Sequence, residues 1–250
     1  PSWEPAAPAE DAEPLVEDPV AMAWDTKGRL WVAVWPTYPH WKPKHPMNDK
    51  LIILEDTNGD GKADKCITFY DELNCPTGFQ FYKDGVLVMR SPDLLWLRDT
   101  NGDDKVDTEE IIARGWPPTD VGSGGVDASA LTRDPEGNIY FGLLVADYSN
   151  PYRLRKRKDL RSEEKAWLTA HGQSAEGDPE EEVSLYDINS VRGTIQKWSP
   201  KTKKLETIAT GIRVPYALAF NQNGDLFVTD QEGETWCPDG NPLDELNHII

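Results

Sequence analysis

Short apolar and aromatic runs broken by polar turns recur along the chain, and one arrangement returns four times. An apolar run leads into a polar turn holding glycine, and an aromatic–aliphatic run follows. The copies are AMAWDTKGRLWVAV (21–34), FQFYKDGVLVM (79–89), ALTRDPEGNIYFGLL (130–144) and ALAFNQNGDLFVTD (217–230). Short runs rich in β-branched and aromatic residues, bounded by turn residues, read as strands. The turns Thr26-Lys27-Gly28, Lys83-Asp84-Gly85, Glu136-Gly137-Asn138 and Gln222-Asn223-Gly224 each offer a glycine for the positive φ that tight hairpins need. Each copy therefore reads as a β-hairpin.

A second hairpin follows in three of the units: KLIILED with CITFYDEL, DLLWLRD with EEIIARG, and TIQKWSP with KLETIATGI. Four strands per unit of about 50 residues is the signature of propeller blades, which bury their faces only against one another. The fold class expected is all-β, a β-propeller of four-stranded blades. Three blades and the opening hairpin of a fourth are visible. Closure at roughly six to seven blades makes this chain part of a longer propeller. A twisted β-sandwich is the alternative, disfavoured by the self-similar period.

Residues 1–19, rich in Pro, Ala, Glu and Asp, read as a linker, and 20–250 as the propeller. Residues 148–190 interrupt the rhythm between the two hairpins of the third unit. This insertion holds a basic run (Arg153, Arg155, Lys156, Arg157, Lys158, Arg161), then a short helix expected over Glu163–His171, capped by Ser162 and ended by Gly172. The acidic stretch Glu176–Glu182 follows. Two readings stay open: a binding loop on a rigid scaffold, or a solvated excursion whose opposite charges pair locally.

Composition narrows the function. The net charge of −18, from 44 acidic and 26 basic residues, repels phosphate backbones and anionic lipids, so nucleic acid is not an expected partner. No apolar run approaches the ~20 residues of a membrane span. Cys66 and Cys75 either pair across a turn outside the cytoplasm or remain free thiols; the third cysteine is Cys237. No CxxCH occurs, so this chain carries no covalent c-type haem.

One chemical motif occurs twice. Asp56, Asn58, Asp60 and Asp64 place oxygen ligands at positions 1, 3, 5 and 9 of a calcium loop, with the Lys62 carbonyl at position 7. Asp99, Asn101, Asp103, Asp107 and the Lys105 carbonyl repeat that spacing, and Glu110 stands at position 12, where a bidentate carboxylate belongs. Position 12 of the first loop is Ile67. At position 6, where a glycine makes the turn, the first loop has Gly61 and the second has Asp104. Hard Ca²⁺ takes six to eight oxygens, and alternate side chains around a tight turn supply them. Strands rather than helices flank both loops, which favours structural calcium; the alternative is an Asp/Asn-rich turn without metal. His40 and His45, in a Pro/Trp-rich loop, are read as packing residues before metal ligands. No GxSxG, HExxH, CxxC or P-loop is present.

These residues also carry a family resemblance. Pro19-Val-Ala-Met-Ala-Trp-Asp, Gly28-Arg-Leu-Trp-Val-Ala, Leu54-Glu-Asp-Thr-Asn-Gly-Asp-Gly-Lys-Ala-Asp-Lys and Pro76-Thr-Gly-Phe resemble the propeller of planctomycete-type "membrane-bound dehydrogenase" proteins, from about Pro14 onward. That resemblance implies a large exported protein, periplasmic or extracellular, often with a c-type haem domain C-terminal to the propeller. More distantly, Ile212-Arg213-Val-Pro215-Tyr-Ala-Leu-Ala-Phe220 is similar to a segment of soluble quinoprotein sugar dehydrogenases, six-bladed propellers using Ca²⁺ and pyrroloquinoline quinone (PQQ). There the Arg contacts the quinone, so the resemblance implies cofactor contacts at Arg213 and Gly233. Those enzymes place a catalytic His before the third inner hairpin. Here that stretch is Val121-Gly-Ser-Gly-Gly-Val-Asp127-Ala-Ser129-Ala, and Asp127 is its one titratable substitute as base; its other reading is a Gly-rich turn. Two functions stay open: a redox enzyme oxidising a sugar or alcohol, and a non-catalytic calcium-stabilised propeller that binds polysaccharide or protein.

Overall fold

The computed structural model describes residues 16–37, 49–90, 93–114, 128–144, 154–170, 172–185, 191–231 and 244–250. Within these the chain is all-β, with four small antiparallel sheets set as the blades of a propeller. Blade 1 is β1 (Pro19–Trp24), β2 (Leu30–Val34), β3 (Asp49–Glu55) and β4 (Lys65–Leu73), in that order across the sheet. Blade 2 repeats it with β5 (Phe79–Tyr82), β6 (Gly85–Arg90), β7 (Asp93–Arg98) and β8 (Thr108–Ala113). Blade 3 starts with β9 (Ala128–Arg133) and β10 (Ile139–Leu143). An inserted pair, β11 (Leu154–Lys156) and β12 (Glu182–Ser184), precedes its outer strands β13 (Thr194–Trp198) and β14 (Leu205–Thr210). Blade 4 has β15 (Pro215–Phe220), β16 (Leu226–Asp230) and β17 (Glu245–Ile249); the sequence reading had only its first hairpin. Inner strand β9 lies beside β5 and β15, and Trp31, Leu87, Tyr140 and Phe227 fall on the second strands of four separate blades.

Burial follows each blade's neighbours. Blade 2 is covered on both faces, so its second strand reads as a continuous buried run from Val86 to Met89. Val86, Val88, Leu95 and Leu97 face blade 1 and meet Trp31, Leu51, Ile53 and Phe69; Leu87, Met89 and Leu94 face blade 3 and meet Ile139, Phe141 and Leu143. Trimming any of these leucines to alanine costs about 2–5 kcal/mol, because transfer and cavity terms add. In blade 4 one face packs on blade 3 through Leu218, Leu226 and Val228, while Ala217, Ala219, Thr229 and Leu246 are exposed, and the alternation there is plain.

Two local readings are corrected, and one left open is resolved. The helix α1 spans Ser162–Ala170, and Ser162 is its first residue rather than its cap. Glu164 instead reaches back to accept the Arg161 N–H at 2.7 Å, half of a capping box. In blade 2 the positive φ of the hairpin sits on Lys83 (+50°), not Gly85. Gly85 is needed for space, since a Cβ there would lie 2.2 Å from the Leu97 carbonyl oxygen. Cys66 and Cys75 are not paired with each other: Cys66 is the second residue of β4 and Cys75 lies beyond its end, and the seven strand residues between them hold the two on the order of 20 Å apart.

In the insertion the opposite charges do pair locally. Lys156 and Lys158 bracket Glu180, Arg157 meets Glu181, and Arg155 and Arg161 close on the fully buried Glu164. Leu160, Leu168, Val183 and Leu185 form a small core beneath them.

Candidate functional site

Because strands alternate in direction, every blade presents two ends. One carries the tight turns within hairpins, including both Asp/Asn loops; call it the turn end. The other carries the connections into and out of each inner hairpin and is the mouth end.

The turn end is organised by carboxylates that accept backbone N–H groups. Asp25 takes the N–H of Lys27 and Arg29, and with its other oxygen Trp31 Nε1 and Arg29 Nε. At the equivalent places of blades 3 and 4, the Asp134 carboxylate and the Asn221 amide oxygen accept the N–H of Asn138 and Asp225. Burial raises the Asp25 pKa, but the Arg29 and Trp31 donors outweigh it and bring it down to about 2. Tyr140 donates to Asp134, and burial together with that carboxylate pushes the phenol up to about 12.

Both Asp/Asn loops are closed the same way. Asp56 accepts from Gly59, Asp60 and Gly61, Asn58 from Asp60, and Asp60 from Lys62, while Asp64 accepts from Thr57. In the second loop Asp99 accepts from Gly102 and Asp104, Asn101 from Asp103, Asp103 from Lys105, and Asp107 from Thr100. The Gly61 N–H holds the Asp56 carboxyl below its usual range, and the Thr100 hydroxyl does so for Asp107. All the candidate ligand atoms are oxygens, the chemistry a hard cation takes. Among the described residues, however, no three His, Cys, Asp or Glu side chains converge as a metal site. Backbone amides and the Thr57 and Thr100 hydroxyls are the donors to these loops. Glu110 lies in β8 opposite Trp96, its carboxylate 3.9 Å from Arg98.

At the mouth end three of the four inner strands are irregular. Pairing shifts by one residue in β1 after Pro19, in β9 opposite Phe141/Gly142, and in β15 after Pro215. The extra residue in β9 is Ala130, at φ +53° and buried, a conformation that an L-residue holds only under constraint. Its neighbour Ser129 donates to the Pro215 carbonyl of blade 4. A Cβ on Gly142 would clash with the Pro215 ring at 2.1 Å, so that glycine is what lets blades 3 and 4 meet.

Arg213 stands just before β15. The buried Asp230 accepts the backbone N–H of Arg213 and of Val214 (2.7–3.1 Å), and the guanidinium donates to the Gln231 carbonyl at 2.9 Å. A second buried carboxyl, Asp49 at the start of β3, accepts from Cys75 N–H and from Thr37. Burial raises its pKa against those hydrogen bonds. Sequence reasoning passed over Asp49 and Asp230; each is an Asp at the end of an apolar strand, a weak signal. Asp127 and Gly233 lie outside the described residues, as do His40, His45, His171 and Cys237. The structure thus separates the predicted groups: the two loops are at the turn end, and Arg213 is at the mouth end.

Four-stranded blades around an axis give a propeller, a fold shared with structures of PQQ-dependent sugar dehydrogenases. The chain belongs to the family of the domain of unknown function DUF7133, whose model matches residues 9–166. No curated protein matches it. Among solved structures it is similar to the calcium structure of a Trichoderma reesei protein of carbohydrate-active enzyme family AA12 (TM-score 0.59, 14% identity, 94% of this chain and 52% of that one). It is also similar to the holo PQQ domain of pyranose dehydrogenase from Coprinopsis cinerea (TM-score 0.57, 7% identity, 94% and 51%). A third is the PQQ-bound aldose sugar dehydrogenase of Streptomyces coelicolor (TM-score 0.53, 14% identity, 94% and 60%). At these identities the likeness is one of fold. The chain spans between 51% and 60% of the length of these three structures.

Proposed function

We propose that this chain is the propeller of an exported quinoprotein-type dehydrogenase that oxidises a sugar or alcohol at its mouth end and passes electrons to a c-type haem domain elsewhere in the protein. The observation that carries the reading is Arg213: a cation fixed through its backbone by buried Asp230 at the mouth end of a chain with net charge −18. PQQ is an anion, and a guanidinium pairs with a carboxylate in a bidentate way. Bound, the quinone supplies a two-electron acceptor. The chain's own part is to orient it through Arg213 and Gly233 and to remove the substrate proton through Asp127.

Calcium in the two loops is part of this proposal as a support of the scaffold. The loops sit at the end opposite Arg213, so cations there strengthen blades rather than neutralise the quinone. Export is supported by the resemblance to exported dehydrogenases. Among the described residues no helix is long and apolar enough to cross a membrane.

A second reading, a non-catalytic propeller that binds polysaccharide or protein, is favoured by the absence of His from residues 121–130. Calorimetry of PQQ with Ca²⁺ on the full-length protein, followed by dye reduction over a panel of sugars and alcohols, separates the two. The enzyme reading expects quinone binding and turnover, both lost in Arg213→Ala, and turnover alone lost in Asp127→Asn. No binding and no reduction leaves the binding module.

A further inference from the structure

We infer that the second Asp/Asn loop, residues 99–107, is a clamp between blades 1 and 2, with Asp104 as its catch. The loop belongs to blade 2, yet it reaches blade 1 at three kinds of contact. Asp104 Oδ1 accepts from Arg29 Nη1 at 2.8 Å. The Val106 N–H donates to the Phe69 carbonyl on outer strand β4 at 3.0 Å, and the Val106 side chain packs on the core shared by the two blades. Just beyond the loop, Glu109 accepts from Tyr70 of β4 and is gripped by Arg90.

Arg29 is the hub. Its side chain is only 11% exposed and meets Asp25 at 2.8 Å, Glu55 at 3.2 Å and Asp104 at 2.8 Å. Glu55 immediately precedes the first loop, so one guanidinium touches the neck of one loop and the apex of the other. This accounts for the departure at position 6. Asp104 holds φ +62°, where glycine is the unstrained choice, because its carboxylate is the group that closes on Arg29. The first loop has Gly61 at that position, and among the described residues no hydrogen bond or ion pair of Asp56–Asp64 reaches another blade. A cation in the second loop would stiffen the backbone that carries Asp104 and Val106, coupling cation binding to blade docking. This linkage rests on the calcium reading above, and the clamp itself does not.

Amide hydrogen exchange at Val106 and along β4 in the full chain tests both parts. In chelator, Asp104→Gly is expected to speed exchange there about tenfold, the loss of one charge-assisted hydrogen bond, even though glycine suits the backbone better. Asp104→Asn, which keeps the turn and loses the charge, is expected to fall between. Unchanged or slower exchange in Asp104→Gly overturns the clamp. With Ca²⁺ added alone, wild-type exchange at these amides slows. That slowing disappears in Asp99→Asn/Asp103→Asn and survives in Asp56→Asn/Asp60→Asn. Calcium binding by calorimetry without slowing overturns the linkage. No calcium heat at all overturns the cation reading and leaves the clamp to the chelator result.

Discussion

The turn end and the mouth end are made by the same strands, but the forces that shape them differ. At the turn end three of the four inner hairpins are closed by short-range hydrogen bonds to Asp25, Asp134 or Asn221, and Arg29 ties two blades together. At the mouth end the inner strands carry bulges, Ala130 sits in a left-handed conformation, and two buried aspartates anchor loop backbone rather than hairpins. Charge-paired turns thus gather at one end, and bulged inner strands with a buried left-handed alanine at the other. Strain persists only where the surroundings hold it, and it collects at binding sites. Stability should accordingly respond to substitutions at the turn end, and ligand binding to substitutions at the mouth end.

The largest effect is expected from Arg29→Ala, which leaves Asp25, Glu55 and Asp104 facing one another. A loss of about 2–3 kcal/mol is expected in urea unfolding, below the cost of stranding fully buried charges because water reaches the rim of this cluster. A loss under about half a kcal/mol would break the contrast between the ends.

Acid provides the next test. The pKa of Asp25 is depressed in the folded state, so its contribution is complete above the ordinary carboxylate range near 4 and disappears as pH falls through about 2. Discounted for solvent, it amounts to about 1.5 kcal/mol. Wild type should lose this much more than Asp25→Asn between pH 4 and 2 in acid unfolding curves, beyond what other carboxylates contribute to both. Parallel curves would remove Asp25 from the account.

A smaller effect separates the two loops. Gly61→Asp gives the first loop the residue of the second at φ +87°, with no cation placed to catch it among the described residues. It should cost about 1 kcal/mol in thermal unfolding, whereas a gain would mean the two loops are equivalent. The smallest stability effect belongs to Arg213→Ala, expected to stay within about 1 kcal/mol of wild type in the same assay.

Much of the fold was legible because alternation and turn chemistry are local. The four hairpins and three outer hairpins follow from period-two runs and their glycines, and blade 2 betrays its two covered faces by unbroken apolar runs. The Asp and Asn residues that open the turns were legible in principle, since Asp25, Asp134 and Asn221 each stand four residues before the closing residue of their turn. The Arg29 hub was not: its partners Glu55 and Asp104 lie 26 and 75 residues away, and no local pattern encodes that meeting. The start of α1 was misread because Ser162 is a good N-cap by type, whereas the buried Glu164, paired with Arg155 and Arg161, secures the first turn by accepting the Arg161 N–H. At the candidate site the motif named Arg213 but not Asp230, which accepts its N–H from 17 residues on.

The most direct test of the account is calorimetric titration of PQQ, in the presence of Ca²⁺, into the full-length protein and its Arg213→Ala and Arg29→Ala variants. The account predicts that Arg213→Ala abolishes quinone binding at nearly unchanged melting temperature, while Arg29→Ala lowers the melting temperature and, below it, binds quinone as wild type does. Quinone binding that survives Arg213→Ala, or that is lost in folded Arg29→Ala, would contradict the assignment of binding to the mouth end.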